Sequence, residues 1–475
     1  MNIAGAHRSR RLLTGALIAL YAAASVLCGE AFARARYVFL FIGDGMGAAQ
    51  RNAAELYLAG MREALGDDSA RESQLVMNSF PSNGMIRTDS LSGVTDSAAA
   101  GTALATGRKT VNGAVAMNPS SGEKFRSVAR AAKDRGMKVG IVTSAFLQDA
   151  TPAAFFGHSR RRTEYRSLGI QLSESGFDYF AGGWLPDSRA GGKDGTNPLA
   201  AAALGGYEVT RTAGEFRALT PGSGKVRVLS IHPKTSGGYM PWAIDGDDAG
   251  VSLADFVDKG ICLLDGEGGF FMMVEGGKID IACHANDAAA AVGEVMAFDR
   301  AVGRAVAFYR SRPGETLIVV TSDHETGGMT HDASGGAPLF YRALSTQKGS
   351  YSAFERTVSP NGYAKFGGAL ARARAFFGPG VGDTKETRAA HALSMTPKDL
   401  RGAKGDEYKK LYATYDPFTA ACLREFNASV GITWTTFYHT GKDIPVSAIG
   451  AGAERFSGEY ENTEICRKIM EAMSD

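Results

Sequence analysis

Four runs of the chain, "YVFLFI" at 37–42, "KVGIVT" at 138–143, "FFMMV" at 270–274 and "TLIVV" at 316–320, are apolar throughout instead of alternating with polar residues. Strands of that kind are buried on both faces, which is the habit of parallel sheets covered by helices. Between them lie alanine-rich stretches of helical character, such as "DAAAAVGEVMAFDRAVGRAVAFYRSR" at 287–312. The expected fold is therefore α/β: a central, mainly parallel β-sheet flanked by helices on both faces. From about 335 to 438 the alternation gives way to Gly, Ser and charged stretches, read here as an inserted, crown-like subregion of smaller elements. The chain is expected to return to the main sheet at "TWTTFYHTG", 433–441.

With 475 residues, 44% of them hydrophobic, the chain can bury a large core. Its formal charge of +2 indicates no nucleic acid or acidic membrane as a specific partner, so any electrostatic chemistry is local. The first residues obey a different rule. Arg8, Arg10 and Arg11 precede an apolar run from Leu12 to Cys28, and Ala31-Phe32-Ala33 or Ala33-Arg34-Ala35 come next as cleavage sites. This is the layout of an export signal over 1–33, with a mature catalytic region over 34–475 and a periplasmic or secreted destination. "SRRLL" also has twin-arginine character. The run is short for a bilayer span and no other long apolar segment succeeds it, so no stable membrane span is expected after cleavage. Cys262, Cys283, Cys422 and Cys466 remain; an oxidising compartment would allow one or two bridges, and the sequence does not choose among the three ways of pairing all four.

The residues just past the strand ends carry the chemistry. Asp44 comes after the first strand, Asp149 and Thr151 after the second, Glu275 after the third, and Asp323 with His324 after the fourth. Ligands bind at the carboxyl ends of strands in open α/β sheets, so these side chains are expected to converge on one rim. A single Asp after a strand often does no more than cap the next helix. Four such ends with histidines nearby exceed what capping explains, and carboxylates sharing a dry rim need an opposing cation. Asp280 and His284 lie four apart, on one face of a helix, and His439 precedes Thr440-Gly441. Imidazole with carboxylate suits zinc, and carboxylate with hydroxyl suits magnesium.

The candidate nucleophile is Ser97 in "VTDSAAAGTALATG". Thr95 reads as a helix N-cap, which places Ser97 in the first turn, where free N–H groups favour an anion. No G-x-S-x-G elbow surrounds it, which argues against an ordinary esterase triad. Two glycine motifs imitate phosphate loops. "GDGMGA" at 43–48 would set Asp44 against a pyrophosphate, and "GTALATGRKT" at 101–110 has the wrong spacing and comes after a helix.

Six blocks in order, "FIGDGMG", "TDSAAAGTALATG", "QDATPAAFFGHSRRR", "MVEGGKIDIACH", "SDHETGG" and "HTG", resemble those of the secreted alkaline phosphatases, over nearly all of the mature length. The resemblance implies a homodimeric phosphomonoesterase acting on small-molecule phosphate monoesters through a phosphoserine, with two zinc ions and one magnesium ion. Carried over by position, Asp280, His284 and His439 would hold the first zinc; Asp44, Asp323 and His324 the second; and Asp44, Thr151 and Glu275 the magnesium. Ser97 would be the nucleophile and Arg162 the clamp on the phosphoryl oxygens, with Arg161 as the alternative in "SRRR". Two departures stand out. Ile281 occupies a position where the enterobacterial relative has lysine and others histidine, while Asp149 is retained. The span from His324 to His439 is also long for the family and is expected to enlarge the crown over the site or across a dimer interface. Other readings are a phosphodiesterase or sulfatase-type hydrolase of the same superfamily, or a non-enzymatic phosphate-binding protein.

Overall fold

The four apolar runs become four adjacent strands at the centre of a ten-stranded sheet. The structure is a computed structural model that describes residues 34–66, 74–186, 197–222, 227–235, 237–332, 334–358, 365–396 and 405–474; the expected export signal lies outside them. The strands in chain order are β1 (Tyr37–Ile42), β2 (Ser82–Arg87), β3 (Lys138–Thr143), β4 (Tyr179–Gly182), β5 (Tyr207–Thr210), β6 (Arg227–Ile231), β7 (Phe270–Glu275) and β8 (Thr316–Thr321). They continue as β9 (Glu325–Thr326), β10 (Thr330–His331), β11 (Ile432–Thr433), β12 (His439–Thr440), β13 (Ile444–Gly450) and β14 (Gly458–Glu461). The main sheet runs β14-β2-β13-β8-β1-β7-β3-β4-β6-β5. Only β13 runs against the others, antiparallel to both β8 and β2.

Successive side chains of a strand point to opposite faces, and β1 divides accordingly. Tyr37, Phe39 and Phe41 enter one apolar cluster, Val38, Leu40 and Ile42 the other. On the first face lie helices Ala48–Ala64, Leu253–Leu264 and Ala288–Ser311; on the second lie Ser97–Thr106, Val128–Asp134, Ala150–Phe156 and Thr463–Ala472. Helix Ala288–Ser311 starts where the sequence indicates, with Asp287 accepting from Ala290 N at 3.0 Å as N-cap.

The stretch after β10 is helical: among the described residues six helices, Gly336–Leu344, Tyr351–Val358, Phe366–Phe377, Lys385–Ser394, Gly405–Tyr412 and Pro417–Ser429, precede β11. The expected return to the main sheet at 433–441 does not occur there. β11 pairs instead with β10 and β12 with β9, as two short antiparallel ribbons, and the chain re-enters the sheet only at β13. The Gly327-Gly328 turn explains the diversion. Both glycines have positive φ, 90° and 62°, and bend the chain between β9 and β10, where β9 takes the residues around His439 as its partner and β10 takes β11. All four cysteines of the described region are free thiols, and three of them are buried. None of the bridges that an oxidising compartment would allow is formed among them.

Candidate active site and metal centre

The register of the central strands builds the site. Thr321, Ile42, Glu275 and Thr143 lie side by side across β8, β1, β7 and β3. Residues just past those ends therefore emerge at one height, which brings Asp323, Asp44 and Glu275 together. Helix Lys278–His284 comes directly after β7 and lays Asp280 and His284 one turn apart, with His284 Nε2 3.2 Å from Asp280 Oδ2. The β9–β12 ribbon sets His439 opposite Thr326. The His439 ring stacks on His324 with centroids 3.6 Å apart, and its Nε2 is 3.1 Å from His284 Nε2.

Two groups of donor atoms result, each confined within 4.8 Å: Asp280 with His324 and His439, and Asp44 with Asp323 and His324. His324 belongs to both, and His284 meets the first through Asp280 and His439. Separations around the groups run from 3.2 Å for His324 Nε2 to Asp323 Oδ2, through 3.4 Å to Asp44 Oδ1, to 3.7 Å between His439 Nε2 and Asp280 Oδ1. Ligands about 2.0–2.1 Å from a tetrahedral zinc lie roughly 3.3 Å from one another, so these donors have the spacing that a shared cation requires. Thr151 Oγ1 donates to Asp44 Oδ2 at 3.5 Å, and Thr143 donates to Glu275. Asp44 Oδ1, Glu275 Oε1 and Asp323 Oδ2 are buried and accept no hydrogen bond among the described residues. Orphaned carboxylate oxygens cost free energy in a dry site, so the donor set fits metal.

The electrostatics agree. Burial, then Asp323, holds the Asp44 carboxyl well above its usual range; burial, then Asp149, does the same to Glu275. Burial, then Asp280, pushes Asp323 up to about 7. Asp280 is the exception: burial works against its charge, but His284, His439 and His324 outweigh it and hold the carboxyl low. For His284 burial is outweighed by Asp280, which raises the imidazole to about 9. Burial, then His439, keeps His324 neutral far below its ordinary range.

Ser97 opens helix Ser97–Thr106, and its Oγ lies 3.2 Å from His324 Nε2. The N-cap is Asp96, not Thr95: Asp96 Oδ1 accepts from Ala99 N at 3.0 Å. A carboxylate at this position satisfies a free N–H and also complements the helix dipole, which a threonine hydroxyl does not. Asp96 does more than cap. Its second oxygen lies 3.3 Å from Arg162, whose other terminal nitrogen lies 3.0 Å from Asp149 Oδ1. Burial would lower the Arg162 guanidinium, but Asp149, Asp96 and Asp44 outweigh it and keep the charge fixed. Arg161 is exposed, so Arg162 is the arginine beside Ser97. Ile281 packs half-buried against the first apolar cluster and offers no polar group. Thr326 donates to Asp280 and is a site residue that the sequence does not mark, though it sits in the same "SDHETGG" block.

A family model for alkaline phosphatase matches residues 35–178 and 235–474. The chain belongs to the alkaline phosphatase family. Alkaline phosphatase 4 of Bacillus subtilis is 30% identical over 452 residues, covering 93% of this chain and 89% of that protein. The alkaline phosphatase of Escherichia coli K12 is 30% identical over 359 residues, 66% of this chain and 75% of its own. Among solved structures, Thermus thermophilus alkaline phosphatase superposes with a TM-score of 0.77 at 28% identity, over 93% of this chain and 91% of that one. A variant of TAB5 alkaline phosphatase, described with Mg bound in the M3 site, gives 0.62 at 26% identity, over 93% and 99%. This alkaline phosphatase is a hydrolase of phosphate monoesters with metal-binding groups at the carboxyl rim of its sheet.

Proposed function

We propose that hydrolysis proceeds through a phosphoserine on Ser97, at a site that takes two zinc ions and one magnesium ion. Asp280, His284 and His439 would hold the first zinc, Asp44, Asp323 and His324 the second, and Asp44, Thr151 and Glu275 the magnesium. The observation that carries this reading is the contact of Ser97 Oγ with His324 Nε2 at 3.2 Å, where the two donor groups share a residue. When bound, such cations are Lewis acids that stabilise charge on reacting oxygens.

The chain's own residues account for the rest. Ser97 lies in the first turn of its helix, where unpaired N–H groups favour negative charge on its oxygen. That oxygen gives up its proton to water and forms the new bond to phosphorus as the ester P–O bond breaks, and the leaving alkoxide takes a proton from water to become the alcohol. Water then cleaves the phosphoserine, returning the Ser97 hydroxyl and inorganic phosphate. Arg162 presents a planar fork to two phosphoryl oxygens, already oriented by Asp96 and Asp149. A fork on the non-bridging oxygens leaves little room for a second ester arm, which favours monoesters over diesters.

Ser97→Ala is expected to cut phosphate release from an aryl phosphate at alkaline pH by ~10³-fold or more, with fold and metal content retained. Undiminished activity would end the covalent route. Chelation is expected to abolish activity, and elemental analysis of the protein counts the ions. The Arg-rich, apolar start of the chain supports export to the periplasm or beyond, tested by the N-terminal sequence of the mature protein. The family resemblance supports a homodimer, tested by sedimentation. No helix among the described residues is long and apolar enough to cross a membrane.

A further inference from the structure

An aromatic residue outside both donor groups reaches the same rim. The segment 237–240 crosses the carboxyl ends of β3 and β4: Trp184 N donates to Gly238 O at 2.8 Å, and Met240 N donates to Ser144 O at 3.1 Å. Gly237 and Gly238 both have positive φ, 61° and 96°, which glycine adopts without steric cost. The double turn lays the Tyr239 ring edge-on against Phe146, with centroids 5.3 Å apart and planes at 66°. Phe146 O accepts from Asp149 N at 3.0 Å, so the Tyr239 ring rests on the turn that presents Asp149 to Arg162.

The hydroxyl of Tyr239 makes no hydrogen bond among the described residues, although the side chain is half-buried. Asp149, Arg162 and Asp280 all bear on it electrostatically. Tyr165, whose ring also packs on Phe146, bears on it too; the other three come from separate parts of the chain that meet at the site. Burial first, then Asp149, keeps the phenol protonated well above the ordinary tyrosine range.

We propose that Tyr239 is a substrate-contacting residue whose O–H donates to a non-bridging phosphoryl oxygen beside Arg162. A phosphate monoester is a dianion with three such oxygens, and Arg162 already divides its fork between Asp96 and Asp149. A hydroxyl without a hydrogen-bond partner among the described residues, on a ring seated beside the Asp149 turn, supplies the additional donor. The inference rests on the placement of the phosphoryl group between Ser97 and Arg162.

The test uses the metal-loaded enzyme and inorganic phosphate. Tyr239→Phe keeps the ring on Phe146 and removes only the donor. It is expected to weaken phosphate binding about tenfold, the usual loss for a hydrogen bond to a charged acceptor. KM for an aryl phosphate should rise in parallel while kcat changes little, the pattern of a contact made equally in ground and transition states. Zinc and magnesium contents and the melting temperature should match the parent. Tyr239→Leu, which removes the ring as well, should be no better than Phe. Phosphate affinity of Tyr239→Phe within about twofold of the parent would overturn the proposal, whatever the Leu variant does. Loss of metal in Tyr239→Phe would assign the residue to the metal centre and overturn it equally. If the parent neither binds phosphate nor releases it from an aryl phosphate, the placement of the phosphoryl group falls, and this inference with it.

Discussion

Asp323 concentrates the charge problem of the site in one residue. Its carboxyl, pushed up to about 7 by burial and then by Asp280, holds a proton at mildly acid pH and loses it at alkaline pH. His284, raised to about 9, likewise carries a proton near neutrality. A cation must displace both, because ligands bind as carboxylate and neutral imidazole. At pH 6 both groups surrender protons on metal binding, whereas at pH 8.5 Asp323 is already a carboxylate and part of His284 is already neutral. Zinc binding to the chelator-stripped protein is therefore expected to release more protons at pH 6 than at pH 8.5, and to tighten as pH rises. Calorimetric titration in two buffers of different ionisation heat counts the protons, and equal release at both pH values would contradict these positions. The acids were legible in the sequence because a carboxylate directly after an all-apolar strand has few structural uses. The pairing of Asp96 with Arg162 was not, since nothing local distinguishes Asp96 from Thr95 as a cap or ties either to a residue 66 positions away. Nor was the double membership of His324, which depends on a ribbon that returns His439 onto its ring.

Elements were legible in proportion to how completely they are buried. β1, β3, β7 and β8, apolar along their length, could be read directly from the sequence; β2, with only Ile86 fully buried, and the four-residue strands β4 and β5 do not announce themselves. Close helix contact is equally silent until the partner is known. Gly60, inside helix Ala48–Ala64, faces helix Gly336–Leu344, and a Cβ there would run into the carbonyl oxygen of Ala337. Tyr57 and Tyr341 pack across the same contact with centroids 5.0 Å apart. Alanine is the better helix former by about 1 kcal/mol. The obstacle, however, is backbone, which cannot turn aside as a flexible side chain would, and overpacking typically costs about 1–3 kcal/mol. Gly60→Ala is expected to be a net destabilisation of roughly 1 kcal/mol by denaturant unfolding; a more stable variant would show that the two helices separate freely.

The helical stretch 336–429, read from the sequence as an insertion, is expected to fold with the sheet and not beside it. Phe340, Phe354, Phe377, Phe418 and Phe426 belong to the same apolar cluster as Phe39 and Phe41 of β1, so no polar boundary divides the two parts. Buried polar ties reinforce the join immediately after His284. Gln347 and the backbone of Tyr351 each donate to Asp287 at 2.7 Å, and Asn427 Nδ2 donates to Asn286 O at 2.7 Å. Asn286 itself sits at φ 54° and reaches Thr436 O, three residues before His439. Loosening the insertion would expose apolar surface of the main core and strip donors from a buried carboxylate, so neither part has a stable state without the other. Heating the metal-loaded enzyme in a calorimeter is accordingly expected to give one cooperative transition that includes the insertion. Two separated transitions, the first leaving the sheet and the metal site intact, would show that the crown is an autonomous unit and that its contacts to Asn286 and Asp287 do not hold the His284 turn in place.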